Sequence, residues 1–326
     1  MTGRVQVGVI GAGNYASSYH VPHLVESVDA EVRAVCDASP ERLAAAGAAT
    51  GVEQSHLYAD HRQMLEREEL DAVTVSSPHA LHAEHVRDAL ECGLHVLVDK
   101  PFVLRSADAR ALIRLAEERG RILMVALNRH LDPANLYARE LIQSGALGEP
   151  VFARSLQVGY PPGGFYRDPE LSGGGPLVGR GTHMAALMPW LTGWRPVSVS
   201  AALAQGAGEV DDGATVSVVF GGEKLGQIAS VRHGSPPVDE MAVHGSGGTV
   251  LVQRVPGRRG WVVRRNGGDP VPEDELPPGQ TTTDHFLEAI LGRTAPRIPL
   301  IDALISVQIV EAAYEAARTG RTVKVE

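Results

Sequence analysis

Lysine is scarce in this sequence. Of its 30 basic residues only Lys100, Lys224 and Lys324 are lysines, and the rest are arginines. That closes two chemistries. A short-chain reductase needs a tyrosine four residues before its lysine, and those positions hold Val96, Phe220 and Gly320. A P-loop needs Gly-Lys-Ser/Thr, and no lysine here follows a glycine. A catalytic lysine therefore has three places to be. Cysteine is scarce too. Cys36 and Cys92 sit in apolar segments and make neither a disulfide framework nor a zinc pair, which points to a reducing, cytoplasmic setting. No apolar run approaches the ~18–20 residues of a membrane span. The chain enters a strand-like pattern at residues 5–10 without the layout of a signal peptide. Positive charge is in deficit: 39 acidic residues give a net charge of −9, with no basic block, which argues against a nucleic-acid partner.

What is present fits two ordinary domains. The 326 residues exceed one typical domain of ~100–200 residues, and 44% hydrophobic with 21% charged residues can fill normal cores. Strand-like runs at 5–10, 31–36, 72–76, 95–98 and 121–127 alternate with helical patterns at 19–28, 40–50, 61–66, 81–92 and 106–119. Such βαβ repetition predicts a doubly wound parallel sheet over residues 1–127, with its ligand crevice beyond the carboxyl ends of the strands. After residue 127 comes one helix at 133–144, then period-two segments at 151–158, 197–203, 214–220, 225–231, 240–243 and 249–255. Gly-Gly and Gly-Ser-Gly-Gly turns separate several of them. Residues 128–326 are therefore expected to form an α+β domain with a large, mostly antiparallel open sheet. Residues 263–280 read as exposed loop, and 283–292 and 300–320 as closing helices.

The chemistry starts at Gly11-Ala12-Gly13-Asn14-Tyr15-Ala16, between the first strand and a helix. Gly11 permits the tight turn, Gly13 lets backbone approach a pyrophosphate, and Ala16 lets the helix pack close to the sheet. Asp37 ends the second strand, where its carboxylate would accept from the adenosine ribose and repel a 2′-phosphate. No Arg or Lys stands at 38 or 39, so NAD is favoured over NADP. Ser76-Ser77-Pro78 and His82 form a strand end, a small polar turn and a helix start along the cofactor edge. Asp99-Lys100-Pro101 places a lysine at the carboxyl end of a buried strand. A lysine without a function belongs on a solvated helix face, so this position favours a role in chemistry.

With these residues in view the chain resembles the Gfo/Idh/MocA oxidoreductases, the glucose–fructose oxidoreductase and inositol dehydrogenase group. Further matches are the run Ala89–Val96 before Asp99-Lys100-Pro101, then Asn128-Arg129, Gly145-Ala146-Leu147-Gly148, Gly173-Gly174-Gly175, Trp190-Leu191-Thr192-Gly193 and Asp284-His285-Phe286-Leu287. The resemblance covers nearly the whole chain and is densest in its first 150 residues. It implies a Rossmann domain plus an α/β domain whose sheet often mediates oligomerisation, so a homodimer or homotetramer is expected. It also implies that Lys100 and His183 meet at the nicotinamide as catalytic residues. Gly11, Gly13, Asn14, Tyr15, Asp37, Ser76, Ser77, Pro78, His82, Asp99, Lys100 and Asn128 are expected to bind the cofactor. Lys100, Arg129, Tyr160, Tyr166, Arg167 and His183 are expected to bind substrate. The family commonly has Asp four residues before the histidine and three after it; this chain has Gly179 and Ala186.

Residue types supply a mechanism. His183 suits the base that takes a hydroxyl proton as hydride leaves, and Lys100 stabilises the developing alkoxide. With Gly179 in place, support for the imidazolium must come from elsewhere, and Arg180 pointing inward would disfavour it further. His79, His82 and His85 stand at three-residue spacing, but no carboxylate or cysteine set completes a metal site, and no metal is expected. Of these, His82 is placed near the cofactor and the others partly exposed. His20 and His23 read as surface positions, Trp190 and Trp194 as core or interface, and 254–265 as a solvated hairpin. The expected activity is NAD-dependent interconversion of a secondary alcohol and a ketone on a small polyol, sugar, cyclitol or glycoside. Three alternatives remain open at this stage: a dinucleotide-binding sensor or scaffold without turnover, an NAD-assisted glycosidase, and a reductase of an enone or pyrrole-type ring.

Overall fold

The computed structural model describes residues 3–159, 163–206, 208, 210–255 and 260–325. They fall into two compact units. The first comprises Met1–Val103, Ala107–Ala126 and Thr281–Leu300, and the second Leu104–Ser106, Leu127–Gln280 and Ile301–Glu326. This differs from a single cut at 127/128. The segment Thr281–Leu300 returns to the first unit, where Arg293 pairs with Asp29 and the Thr282 amide donates to the Tyr19 hydroxyl at 3.2 Å.

The first unit holds β1 (Val5–Ile10), α1 (Val21–Glu26), β2 (Ala30–Cys36), α2 (Pro40–Thr50), β3 (Leu57–Tyr58), α3 (His61–Arg67), β4 (Ala72–Val75), α4 (His82–Glu91), β5 (His95–Val98), α5 (Ser106–Arg119) and β6 (Leu123–Val125). Its sheet has the order β3-β2-β1-β4-β5-β6, every pair parallel. That is the doubly wound order, with its switch point between β1 and β4. The strands are apolar along their length because both faces are covered: Val7, Val9, Val73, Val75, Val96, Leu97 and Val98 are wholly buried. Helix ends follow local rules. Ser39 accepts from the Arg42 amide ahead of Pro40 in α2, which Gly51 terminates at φ +74°. The helix expected at 19–28 is present as α1, but it is preceded by a π turn, Ala16–His20, that starts it earlier. Period counting misses such a turn because one inserted residue shifts the register.

The second unit holds α6 (Pro133–Gln143), β7 (Pro150–Val158), α7 (Pro169–Ser172), α8 (Thr182–Thr192), β8 (Pro196–Gln205), β9 (Asp211–Phe220), β10 (Lys224–Val231), β11 (Val238–Gly245), β12 (Thr249–Gln253) and β13 (Val262–Arg265). After α9 (Thr282–Ile290) of the first unit come α10 (Leu300–Thr319) and β14 (Val323–Lys324). The sheet order is β13-β12-β11-β7-β10-β9-β8-β14, antiparallel except for β10 against β7. Gly221-Gly222 and Gly245-Ser246-Gly247-Gly248 make the hairpins as expected. The expected loop at 263–280 begins instead as β13. There Val263 pairs with Val252, and its burial repays strand formation. One sheet face carries the core, with Val216, Val218, Ile228, Met188 and Ile309 buried together. Among the described residues no helix is long and apolar enough to cross a membrane.

Candidate functional site

In the first unit the carboxyl ends of β1, β2, β4 and β5 gather the expected nucleotide residues. Gly11 has φ +88°, and a Cβ there would lie 2.6 Å from the Ser76 carbonyl carbon and 2.6 Å from the Ser77 nitrogen. Only glycine fits. A Cβ on Gly13, by contrast, would meet nothing within 4 Å, so protein packing does not demand that glycine. The Asp37 carboxylate accepts at Oδ2 from the Ala12 amide (2.8 Å) and at Oδ1 from the Ser39 amide (2.8 Å). A carboxylate has about four lone-pair sites, so each oxygen keeps capacity for a ligand hydroxyl. The Ser76 hydroxyl is buried without a hydrogen-bond partner. These three observations fit a dinucleotide: open backbone at Gly13, a half-engaged carboxylate at Asp37 and an orphaned hydroxyl at Ser76. Tyr15 stacks on Tyr19 with ring centroids 5.1 Å apart, and Asn14 is exposed beside the loop.

Lys100 is half-buried just past β5, joined to Pro101 by a cis peptide bond. Asp99 is anchored by its amide on the Val75 carbonyl (2.9 Å) and by its Oδ1 against His20 Nε2 (2.9 Å). His20, expected at the surface, is fully buried, and its Nδ1 meets the Thr283 hydroxyl at 2.8 Å. His82, expected to face the cofactor, has both ring nitrogens on protein carbonyls: Nδ1 2.8 Å from Pro101 and Nε2 2.9 Å from Ser77. A neutral imidazole carries one N–H, so it donates to one of these carbonyls at a time while the ring packs between the two loops. Burial pushes its pKa down, against the raising effect of those carbonyls and Asp99. His79, expected partly exposed, is buried. His85 lies 2.9 Å from the Ser77 hydroxyl and is pushed down to about 3, chiefly by burial. Cys36 is buried, its thiol pushed up to about 12 mainly by burial, while Cys92 is exposed.

One further cluster in this unit, His61, Glu84 and Asp88, brings three ligand-type groups close enough to share a metal ion. The Arg62 guanidinium already reaches both carboxylates, at 2.6 Å to Glu84 and 2.9 Å to Asp88, and supplies the positive charge.

In the second unit His183 is the second residue of α8. Every residue of α8 is buried except His183 and the last one, Thr192, so His183 alone interrupts the enclosed stretch Thr182–Leu191. A π turn, Leu177–Gly181, leads into it, and π turns often occur at functional sites. A Cβ on Gly179 would lie 3.4 Å from Cε1 of Tyr166, so that ring covers the position where a longer side chain would start. Tyr166 stacks on Phe165 at 4.3 Å, and Arg167 is exposed in the same turn. Tyr160 lies outside the described residues. Asn128 opens the turn Asn128–Leu131. Arg129, expected to contact substrate, is buried with its fork turned onto Asp239, at 3.1 and 2.9 Å. Arg180 joins the same carboxylate at 2.5 Å. Burial lowers the Arg129 pKa, and Asp239 opposes that. Trp190 is buried in the core, as expected, and Trp194 packs against it.

His20, Thr283 and Asp239 were invisible to pattern reading. No spacing rule joins a histidine to a threonine 263 residues away, or an arginine to an aspartate 110 residues on.

The family model for the oxidoreductase family with an NAD-binding Rossmann fold matches residues 5–127, and the GFO/IDH/MocA C-terminal domain matches residues 135–251. A D-glucoside 3-dehydrogenase of Escherichia coli (strain K12) is 33% identical over 59% of this chain, and the match spans 55% of that relative's length. A 1,5-anhydro-D-fructose reductase of Ensifer adhaerens is 28% identical over 98% of each chain. The structure of an aldose-aldose oxidoreductase from Caulobacter crescentus, complexed with glycerol, superposes with a TM-score of 0.86 at 27% identity. That superposition covers 98% of this chain and 99% of the other.

Proposed function

The chain belongs to the Gfo/Idh/MocA family of oxidoreductases, and from that premise we propose that it interconverts a secondary alcohol and a ketone on a sugar, cyclitol or glycoside, with NAD as the preferred cofactor. The observation that carries the reading is the place of Lys100. Of three lysines it alone stands at the carboxyl end of a buried parallel strand, and that strand pairs with the one leading into Ser76, whereas Lys224 sits in a hairpin paired to Glu149. Asp37 supports NAD, since a 2′-phosphate would bring negative charge against a carboxylate already holding the loop.

When bound, the nicotinamide supplies hydride acceptance or return. The chain supplies the rest. Gly11, Gly13, Asn14, Tyr15, Asp37, Ser76, Ser77, Pro78, Asp99 and Asn128 shape and orient the dinucleotide site. His183 takes the hydroxyl proton, Lys100 donates to the substrate oxygen, and Tyr166 with Arg167 contacts hydroxyls of the substrate. With glycine at 179, no carboxylate from that turn steadies a protonated His183, so Lys100 carries a larger share of the proton chemistry. The open face of the second sheet supports a homodimer or homotetramer. Leu225, 51% exposed, lies opposite Val219, 39% exposed, and Val231 shares their face.

The test is a screen for NADH formation against polyols, sugars and glycosides, with NAD and NADP side by side. At least one secondary alcohol is expected to turn over, faster with NAD. Saturable NAD binding without turnover anywhere in the panel would overturn this reading in favour of a sensor.

A further inference from the structure

Lys100 has one neighbour on each side along the chain, and each is held by a buried histidine. On one side the Asp99 carboxylate meets His20 Nε2 at 2.9 Å. On the other, His82 Nδ1 stands 2.8 Å from the Pro101 carbonyl oxygen. Both histidines are completely buried. Each also reaches away from Lys100 to a different element: His20 to Thr283 in α9 (2.8 Å), and His82 to the Ser77 carbonyl after β4 (2.9 Å).

We propose that His20 and His82 are positioning residues that clamp Lys100 from both flanks and tie it to the nucleotide loops. The proposal rests on the reading of Lys100 as the group that handles the substrate oxygen. His20 lies in the π turn that follows Gly11–Tyr15, so whatever seats that loop also seats Asp99. His82 fills the space between Pro101 and the loop after β4, whose backbone packs against Gly11, so the second flank has the same reference point whichever carbonyl takes its one N–H.

The hydrogen bonding explains why histidine stands at 20. A neutral ring carrying its proton on Nε2 donates to Asp99 and accepts the Thr283 hydroxyl proton on Nδ1, leaving no buried polar atom of the trio unmet. An aliphatic residue there would strand the Asp99 carboxylate, whose side chain is 10% exposed. Amine placement matters because a shift of about 1 Å at a reacting group can cost about 10²-fold in rate.

The scarcity of lysine provides a direct readout. Reductive methylation with ¹³C-formaldehyde of the full chain labels three lysine side chains, Lys100, Lys224 and Lys324, and a Lys100→Arg variant assigns the Lys100 resonance. In His20→Leu and in His82→Leu that resonance is expected to shift and change its titration midpoint while the other two stay put. On a verified substrate kcat is expected to fall about 10²-fold, with the KM for NAD little changed. His20→Gln, which restores a donor towards Asp99, is expected to recover most of both. Thr283→Val, a near-isosteric change, is the companion should His20→Leu fail to fold, and is expected to move the same resonance by less. An unmoved Lys100 resonance in folded His20→Leu and His82→Leu protein, or in Thr283→Val where they do not fold, overturns the clamp. Turnover retained by Lys100→Ala overturns the catalytic reading instead and leaves the resonance shifts to stand alone.

Discussion

Asp239 receives both arms of the Arg129 guanidinium, at 3.1 and 2.9 Å, where both side chains are buried. Arg180, in the π turn before His183, adds a third charge-assisted bond to the same carboxylate. Trp261 lies 4.5 Å below the Arg129 guanidinium and closes the site further. The pair thus serves as an internal anchor of the second unit and steadies the turn that presents His183.

Removing one member strands the other. Asp239→Asn leaves a buried guanidinium without its counter-charge, a change that typically costs about 3–5 kcal/mol. A large fall in the denaturant midpoint of the second unit is expected. A loss no bigger than that of an ordinary surface change, within about 0.5 kcal/mol, would contradict the anchor.

Asp37 holds the glycine loop, and the proposed function gives it the ribose as well. Asp37→Ala removes an acceptor from the Ala12 and Ser39 amides as well as from the ligand. NAD affinity should weaken about 10- to 100-fold, the size of one or two charge-assisted hydrogen bonds. The ratio of NADP to NAD affinity should rise, because the repulsive carboxylate is gone. Titration of both dinucleotides by fluorescence reads both effects.

Lys100→Met and His183→Ala each remove a group proposed to handle the proton. Each should lower kcat by about 10²- to 10⁴-fold while NAD binding persists. Single-turnover rates on the verified substrate, set beside NAD affinity, separate lost chemistry from lost binding. Unchanged rates in both variants would end the assignment.

Asp302 is buried, and desolvation raises its pKa from 3.8 to about 6, against the lowering influence of Arg195 and Arg139. A raised folded-state pKa means that the folded form holds the proton more tightly. The associated stability is full below the unfolded value near 3.8 and is lost as pH rises through about 6. Asp302→Asn removes that dependence. Melting temperatures of the two proteins should differ by a constant below pH ~4, then move in favour of the variant up to pH ~7. A pH-independent difference would refute the assignment.

The exposed apolar face of the second sheet gives the proposed oligomer its test. Leu225→Glu lies on the surface and should change stability by no more than about 0.5 kcal/mol. By light scattering it should reduce the mass of the assembly towards one chain. A wild-type monomer at micromolar concentration would remove the expectation altogether.

Much of this is legible in the sequence. The strand at 5–10 came out as Val5–Ile10, and the helix at 40–50 as Pro40–Thr50, because an apolar run or a capped period is a local signal. Gly11, Asp37 and Lys100 were legible for the same reason: each ends a strand whose own residues announce it. The π turns at Ala16–His20 and Leu177–Gly181 were not, since a period of 3.6 cannot register a single inserted residue. Nor was β13, whose short apolar stretch becomes a strand only because β12 lies beside it.

The sequence by itself determined the doubly wound sheet, the glycine loop, the acid at the end of β2 and the one lysine at a strand end. The last three depend on residues within a few positions of each other, and the sheet on a run of local strand and helix signals in alternation. Tertiary structure alone decided which side chains hold them. It put Thr283 against His20, turned Arg129 inward to Asp239, and assigned Thr281–Leu300 to the first unit. The reason is desolvation. Buried polar groups must find partners wherever the chain brings them, and burial rather than spacing selects which partner is met.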